Sequence, residues 1–90
     1  MSVQIKPSQA GTLESSDILI MLAPAEPGTG ISIELVSPTI HQFGDQIKKV
    51  ITDTLQANGI KDILVHANDK GAWDYAVEAR VKTAILRAIS

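Results

Sequence analysis

Two adjacent serines carry the hydroxyls that are best placed for chemistry in this sequence. Ser15 and Ser16 lie between the carboxylates Glu14 and Asp17, in the polar segment "GTLESSD" that precedes the hydrophobic run "ILIML". A serine can attack a substrate when a base activates it, or another enzyme can modify it covalently. The hydrolase pattern G-x-S-x-G is absent, so modification is favoured over attack. The structural alternative is a polar turn whose hydroxyls bond to local backbone.

The other side chains with catalytic or metal-binding potential are scattered. No H-E-x-x-H pattern includes His41 or His66, and we expect neither to be catalytic. The carboxylates Asp62, Asp69 and Asp74 lack the spacing of a calcium loop and are interpreted as capping or solvated groups. The absence of cysteine excludes disulfides, thiolate nucleophiles and cysteine metal sites. We therefore predict no catalytic residue and no metal site.

The segment "DKGAWD" contains two residues that need an explanation. Gly71 is expected in the first turn of a helix, where glycine costs about 1 kcal/mol relative to alanine, and it suggests close approach by another segment or a ligand. Trp73 is either a core residue or an exposed contact. Because it begins an apolar stripe, we predict that it is in the core.

Composition limits the class of protein. Ninety residues form one domain, 1–90, and 44% of them are hydrophobic. A net charge of −2 and three aromatic residues give little basis for binding nucleic acid. No apolar run approaches the roughly 20 residues that span a bilayer, and the amino terminus lacks the apolar core of a secretory signal. The expectation is a cytoplasmic protein with neither nucleic-acid nor membrane partners.

Two strands are predicted in the first half of the chain. The run 17–24, "DILIMLAP", has strand length, and 31–37, "ISIELVS", alternates between apolar and polar residues. The loop "AEPGTG" between them contains one proline and two glycines. An antiparallel hairpin of these two strands is the simplest prediction.

A long helix follows. Ser37 is predicted to cap it, with Pro38 at its first position, and apolar residues recur every three or four positions over 39–58. Gly59 is predicted to end it.

A third strand and a second helix complete the chain. The run 61–67, "KDILVHA", reads as a strand, and Asn68 and Asp69 are candidate caps for a helix with an apolar stripe from Trp73 to Ala88. A strand–helix–strand unit favours parallel pairing. The predicted fold is an α+β two-layer sandwich in the order β-β-α-β-α, with a small mixed sheet covered by two helices. The pattern leaves room for one short strand near the amino terminus.

Four motifs together resemble one protein family. "AGTLESSD", "QFGDQI", "DKGAWD" and "EARVKTAILRA" occur in the order found in the acyl carrier protein of citrate lyase, its γ subunit. The resemblance runs from about Ala10 to the carboxyl terminus. The family usually reads "DKGALD", so Trp73 replaces a leucine.

The resemblance implies a specific function. Ser15 would carry 2'-(5''-phosphoribosyl)-3'-dephospho-CoA through a phosphodiester, with Ser16 the less favoured site. If the segment is extended, only one of the two side chains faces a modifying enzyme in a given register. Residues 1–16 are expected to be flexible and to carry the attachment site.

The expected partners follow from the same resemblance. The arm would move acetyl and citryl thioesters between the α subunit, an acyl transferase, and the β subunit, a lyase, as citrate is cleaved to acetate and oxaloacetate. A prosthetic-group transferase and an acetylating ligase would act on the chain, itself a non-catalytic subunit. Three alternatives stay open: the carrier subunit of malonate decarboxylase, an unmodified protein-interaction domain, and a small serine hydrolase.

Overall fold

The computed structural model describes residues 4–90 and contains four strands and two helices. Their order is β-β-β-α-β-α, which confirms the predicted α+β class and adds the short amino-terminal strand. The elements are β1 (Ser8–Gly11), β2 (Ile18–Pro24), β3 (Ile31–Val36), α1 (Ile40–Ala57), β4 (Ile63–Asp69) and α2 (Asp74–Ile89).

The two layers follow from the alternation of apolar residues. Alternate residues of β2 and β4 are buried, and they pack with the apolar stripes of both helices in a single core on one face of the sheet. The largest apolar side chains that are completely buried come from all these elements: Ile18, Ile20, Ile51, Leu55, Ile63, Val77 and Val81.

The sheet order corrects the predicted hairpin. The strands lie in the order β1-β2-β4-β3, so β4 separates β2 from β3. β4 pairs antiparallel with β2 and parallel with β3, and the predicted parallel crossover is confirmed. The physical reason is burial: β4 buries Ile63, Val65 and Ala67, whereas the inward residues of β3 are only partly buried and suit an edge. The six-residue loop after β2 is long enough to pass over one strand, about 5 Å wide.

The start of α1 also differs from the prediction. The helix begins at Ile40 with Thr39 as its cap residue, and the Thr39 side chain makes no capping hydrogen bond. The Ser37 hydroxyl accepts a hydrogen bond from the Thr39 N–H at 3.2 Å but from no N–H of the helix itself. Ser37 instead donates its hydroxyl to Asp69 Oδ2 at 2.8 Å, which ties the end of β3 to the end of β4. The other end is as predicted, because Gly59 adopts a positive φ of 77° directly after the cap residue.

The start of α2 required three corrections. Asn68 and Asp69 belong to β4 and do not cap the helix, although Asp69 Oδ1 accepts a hydrogen bond from the Ala72 N–H at 2.9 Å. Gly71 lies in the connecting loop with φ 95°, and a Cβ built there meets no atom within 4 Å. Its role is therefore conformational, with no close contact. Trp73 is 69% exposed, because it precedes the helix and the buried stripe begins at Val77.

Candidate functional site

The two serines lie in a tight turn between β1 and β2. The Asp17 N–H donates to the Glu14 carbonyl at 3.1 Å, which closes a four-residue turn with the serines in the middle. Ser16, the third residue, has φ 66°, the conformation that a type II turn requires at that position. The segment is therefore not extended. Ser15 occupies the second position, at the apex, and is exposed to solvent.

The turn distinguishes two chemically identical hydroxyls. The Ser16 N–H donates to the Lys70 carbonyl at 2.8 Å, so the backbone of Ser16 is fixed to the end of β4. Ser15 has no such anchor. Within residues 4–90 neither hydroxyl forms a hydrogen bond, so the interpretation that these serines serve the local backbone is wrong. Ser15 presents an exposed hydroxyl at the tip of a structured turn.

Asp17 holds the base of this turn. Its carboxylate accepts hydrogen bonds from Arg80 Nε at 3.0 Å and Arg80 Nη2 at 2.9 Å, a two-point ion pair. It also accepts from Thr12 Oγ1 at 2.6 Å and from the Ile18 N–H at 2.7 Å. The hydrogen bonds from Arg80 and then from Thr12 lower the pKa of Asp17 from 3.8 to about 2. The carboxylate is ionised at neutral pH.

Gly11 determines how the chain enters the turn. It ends β1 opposite Leu19 with φ 102°, and a Cβ at this position would lie 1.8 Å from the Ile18 carbonyl oxygen. Only glycine fits this close approach of two backbones. The loop that carries Ser15 is therefore fixed at both ends, by Gly11 and by Asp17.

Hydrogen bonds connect the four sequence motifs to one another. The Lys70 N–H donates to the Asp17 carbonyl at 2.8 Å, which joins the serine turn to "DKGAWD". Arg80, in "EARVKTAILRA", joins α2 to the same turn. Gln46, in "QFGDQI", donates from Nε2 to Asp74 Oδ2 at 2.9 Å and so links α1 to the start of α2. The serine turn is therefore joined directly to two of the other motifs, and "QFGDQI" is joined to it through "DKGAWD".

Comparison with known proteins agrees with this arrangement. A family model described as "Malonate decarboxylase delta subunit (MdcD)" matches residues 5–88. The citrate lyase acyl carrier protein of Halothermothrix orenii is 48% identical over 90% of this chain and 84% of its own length. That of Lactiplantibacillus plantarum is 55% identical over 89% of this chain and 81% of its own. The chain belongs to the citrate lyase acyl carrier protein family. It is an acyl carrier subunit, not a catalytic one.

A solved structure shows the same fold at low sequence identity. A chain in the crystal structure of a Pseudomonas malonate decarboxylase hetero-tetramer in complex with malonate superposes with a TM-score of 0.76. The match covers 96% of this acyl carrier protein and 87% of that chain, at 16% identity. This likeness establishes the two-layer fold alone.

Among the described residues, no hydrogen bond joins either histidine of this acyl carrier protein to the serine turn. His66 Nδ1 lies 3.1 Å from Glu34 Oε2 on the uncovered face of the sheet, beside a shallow groove that also includes Met21 and Leu64. His41 is exposed in the first turn of α1. A serine hydrolase needs a base bonded to its nucleophile, and the described residues supply none to Ser15. They also contain no cluster of three metal-ligating side chains.

Sequence reasoning missed the role of Arg80. In the sequence Asp17 is recognisable only as a carboxylate that flanks the two serines, because its partner Arg80 lies 63 residues further along the chain. A signal was nevertheless present, because Arg80 falls inside one of the four family motifs.

No described helix is long and apolar enough to cross a membrane.

Proposed function

We propose that Ser15 is the residue to which the acyl-carrying prosthetic group, 2'-(5''-phosphoribosyl)-3'-dephospho-CoA, is attached. The observation that supports this most is the exposed hydroxyl at the apex of an anchored turn, with no hydrogen-bond partner among residues 4–90. Ser16 is also exposed, and what favours Ser15 over it is the family motif, which places the attached serine directly after Glu14. The open surface around the apex leaves room for a large substituent, so the site fits the group.

The attachment chemistry needs only the hydroxyl from this chain. Ser15 Oγ would form a bond to phosphorus of an activated phosphoric anhydride donor. The bond from that phosphorus to its phosphate leaving group would break, and the hydroxyl proton would pass to a base of the transferase. When attached, the group supplies the thiol on which acyl groups are carried. The chain has no cysteine and needs that thiol from outside.

The proposed partners are the α and β subunits of citrate lyase. The carrier would present acetyl and citryl groups first to the acyl transferase and then to the lyase, while a prosthetic-group transferase and an acetylating ligase would prepare it. Tethering favours such transfers, because short flexible links give local concentrations on the order of millimolar. Relatives named for citrate lyase at 44–55% identity support this assignment.

Malonate decarboxylase is the second candidate system. The description of the matching family model and the shared fold favour it, but the solved chain is only 16% identical.

Flexibility of residues 1–16 and a cytoplasmic location stay predictions. β1 lies within that segment and pairs with β2, and residues 1–3 lie outside the described part of the chain.

Reconstitution tests the proposed function. The modified, acetylated chain would be combined with citrate lyase α and β subunits and citrate, and oxaloacetate would be measured. We expect turnover only with all three proteins present, and none from the isolated chain. A parallel reaction with malonate decarboxylase subunits and malonate should release no carbon dioxide above background. Oxaloacetate formation by the isolated chain, or turnover only in the malonate system, would contradict the proposal.

A further inference from the structure

The turn that carries Ser15 is anchored more extensively than exposure of a hydroxyl requires. Arg80 binds both oxygens of the Asp17 carboxylate, and Thr12 and the Ile18 N–H occupy further acceptor positions on the same group. Because four donors from these three residues bind it, the Asp17 carboxylate has little freedom to rotate. The residue that ends the turn is thereby fixed to α2 as well as to the sheet.

A second set of contacts fixes the middle of the turn. The Ser16 N–H donates to the Lys70 carbonyl, and the Lys70 N–H donates to the Asp17 carbonyl, each at 2.8 Å. They extend the pairing of β2 with β4 past the first residue of β2 and the last residue of β4. The position of Ser15 is therefore determined by contacts on both of its carboxyl-terminal neighbours.

Global stability alone does not account for this arrangement well. The side chains of Arg80 and Asp17 are 41% and 16% exposed, so solvent screens the pair in part and reduces what it contributes to the free energy of unfolding. The nearby Lys82–Glu78 pair, at 2.9 Å on the exposed surface of the same helix, does not touch the turn. What sets the Asp17–Arg80 pair apart is its place, two residues from the proposed attachment site.

We propose that Asp17 and Arg80 are positioning residues for the modification of Ser15, holding the turn so that Ser15 Oγ is presented to the transferase in one orientation. This inference rests on the proposed function of Ser15. Phosphoryl transfer requires the attacking oxygen to lie in line with the leaving group, and a misplacement of about 1 Å can cost on the order of 100-fold in rate.

The test measures modification kinetics of the full chain with the transferase and the activated donor. Arg80→Gln removes the charge and the two-point contact and keeps a shorter, polar side chain. Thr12→Val removes the hydroxyl that donates to the same Asp17 carboxylate. Because Thr12 is exposed, this change should not impair folding. Lys82→Gln is the matched control, a neutralised cation on the same helix. All assays are run at a temperature at which circular dichroism shows every variant folded.

We expect kcat/KM for Arg80→Gln to fall about tenfold or more, mainly through kcat, with a smaller loss for Thr12→Val. Arg80→Lys, which keeps the charge without the fork, should be intermediate. Lys82→Gln should stay within about twofold of wild type. Hydrogen exchange of the Ser16 and Lys70 amides should accelerate in Arg80→Gln, while that of core amides is unchanged.

Two results would overturn the positioning role while leaving Ser15 as the site. One is a kcat/KM of Arg80→Gln equal to that of Lys82→Gln. The other is a loss of rate with unchanged exchange at Ser16 and Lys70, since Arg80 would then act by touching the transferase. A wild-type chain that takes no group from an active transferase would instead contradict the proposed function, and the positioning role with it.

Discussion

At the scale of single residues, Asp17 links the local electrostatics of the domain to its stability. The Arg80 and Thr12 donors hold its pKa at about 2, below the 3.8 expected without these contacts. Between these two values the unfolded chain binds more protons at this group than the folded chain does. Stability contributed by Asp17 is therefore complete above about pH 4 and is lost as pH falls through about 2.

Replacement of Asp17 should change the acid sensitivity of folding. In Asp17→Asn the free energy of unfolding should fall less steeply than in wild type as pH is lowered from 4 to 2, because the group that gains the proton is absent. Arg80→Gln should flatten the same range, since it removes the largest cause of the shift. Urea unfolding at a series of pH values measures this. Curves for Asp17→Asn and wild type that run parallel from pH 4 to 2 would contradict the assignment.

The backbone of Ser16 gives a second test at this scale. Its φ of 66° is strained for a residue with a side chain, at a cost of order 1 kcal/mol. Ser16→Gly should therefore raise the free energy of unfolding by about 0.5 kcal/mol, the relief being partly offset by the greater freedom of glycine in the unfolded chain. Ser15→Gly is the control and should not stabilise, because Ser15 has no positive φ to relieve. Equal effects of the two substitutions in urea unfolding would show that the turn differs in solution.

At the scale of elements, hydrophobic periodicity predicted the helices well because it is a local property. The 3.6-residue repeat located α1 to within one residue at each end, and Ile47, an apolar residue of that repeat, is buried. Strand neighbours and caps depend on contacts made elsewhere. Trp73 was misassigned because an apolar residue just before a helix continues the stripe in sequence but not in space.

Burial of Ile47 provides the test of the α1 register. It is 4% exposed and faces the sheet, so Ile47→Asp would bury an unpaired carboxylate and should cost several kcal/mol. Lys48→Asp, on the exposed surface one residue away, should change stability by no more than about 0.5 kcal/mol. Thermal melting followed by circular dichroism compares the two. Similar melting temperatures for both variants would show that the register is wrong.

At the scale of the whole molecule, hydrogen bonds connect the four family motifs, and the turn that carries Ser15 is exposed. The sequence predicted Ser15 through its family motif, but not the reason why Ser15 differs from Ser16. That reason lies in contacts with Lys70 and Arg80, which are more than 50 residues away and invisible to local patterns. The strand order was missed for the same reason, because β4 follows β3 in sequence but also pairs with β2.

Peptide mass mapping of residues 10–20 tests whether Ser15 is the residue that carries the prosthetic group. Wild type, Ser15→Ala and Ser16→Ala would each be co-expressed with an active prosthetic-group transferase and then digested. We expect an added prosthetic-group mass on Ser15 in wild type and in Ser16→Ala, and no added mass in Ser15→Ala, with all three proteins folded. A Ser15→Ala protein that carries the group on Ser16, or a wild-type protein that carries none, would contradict it.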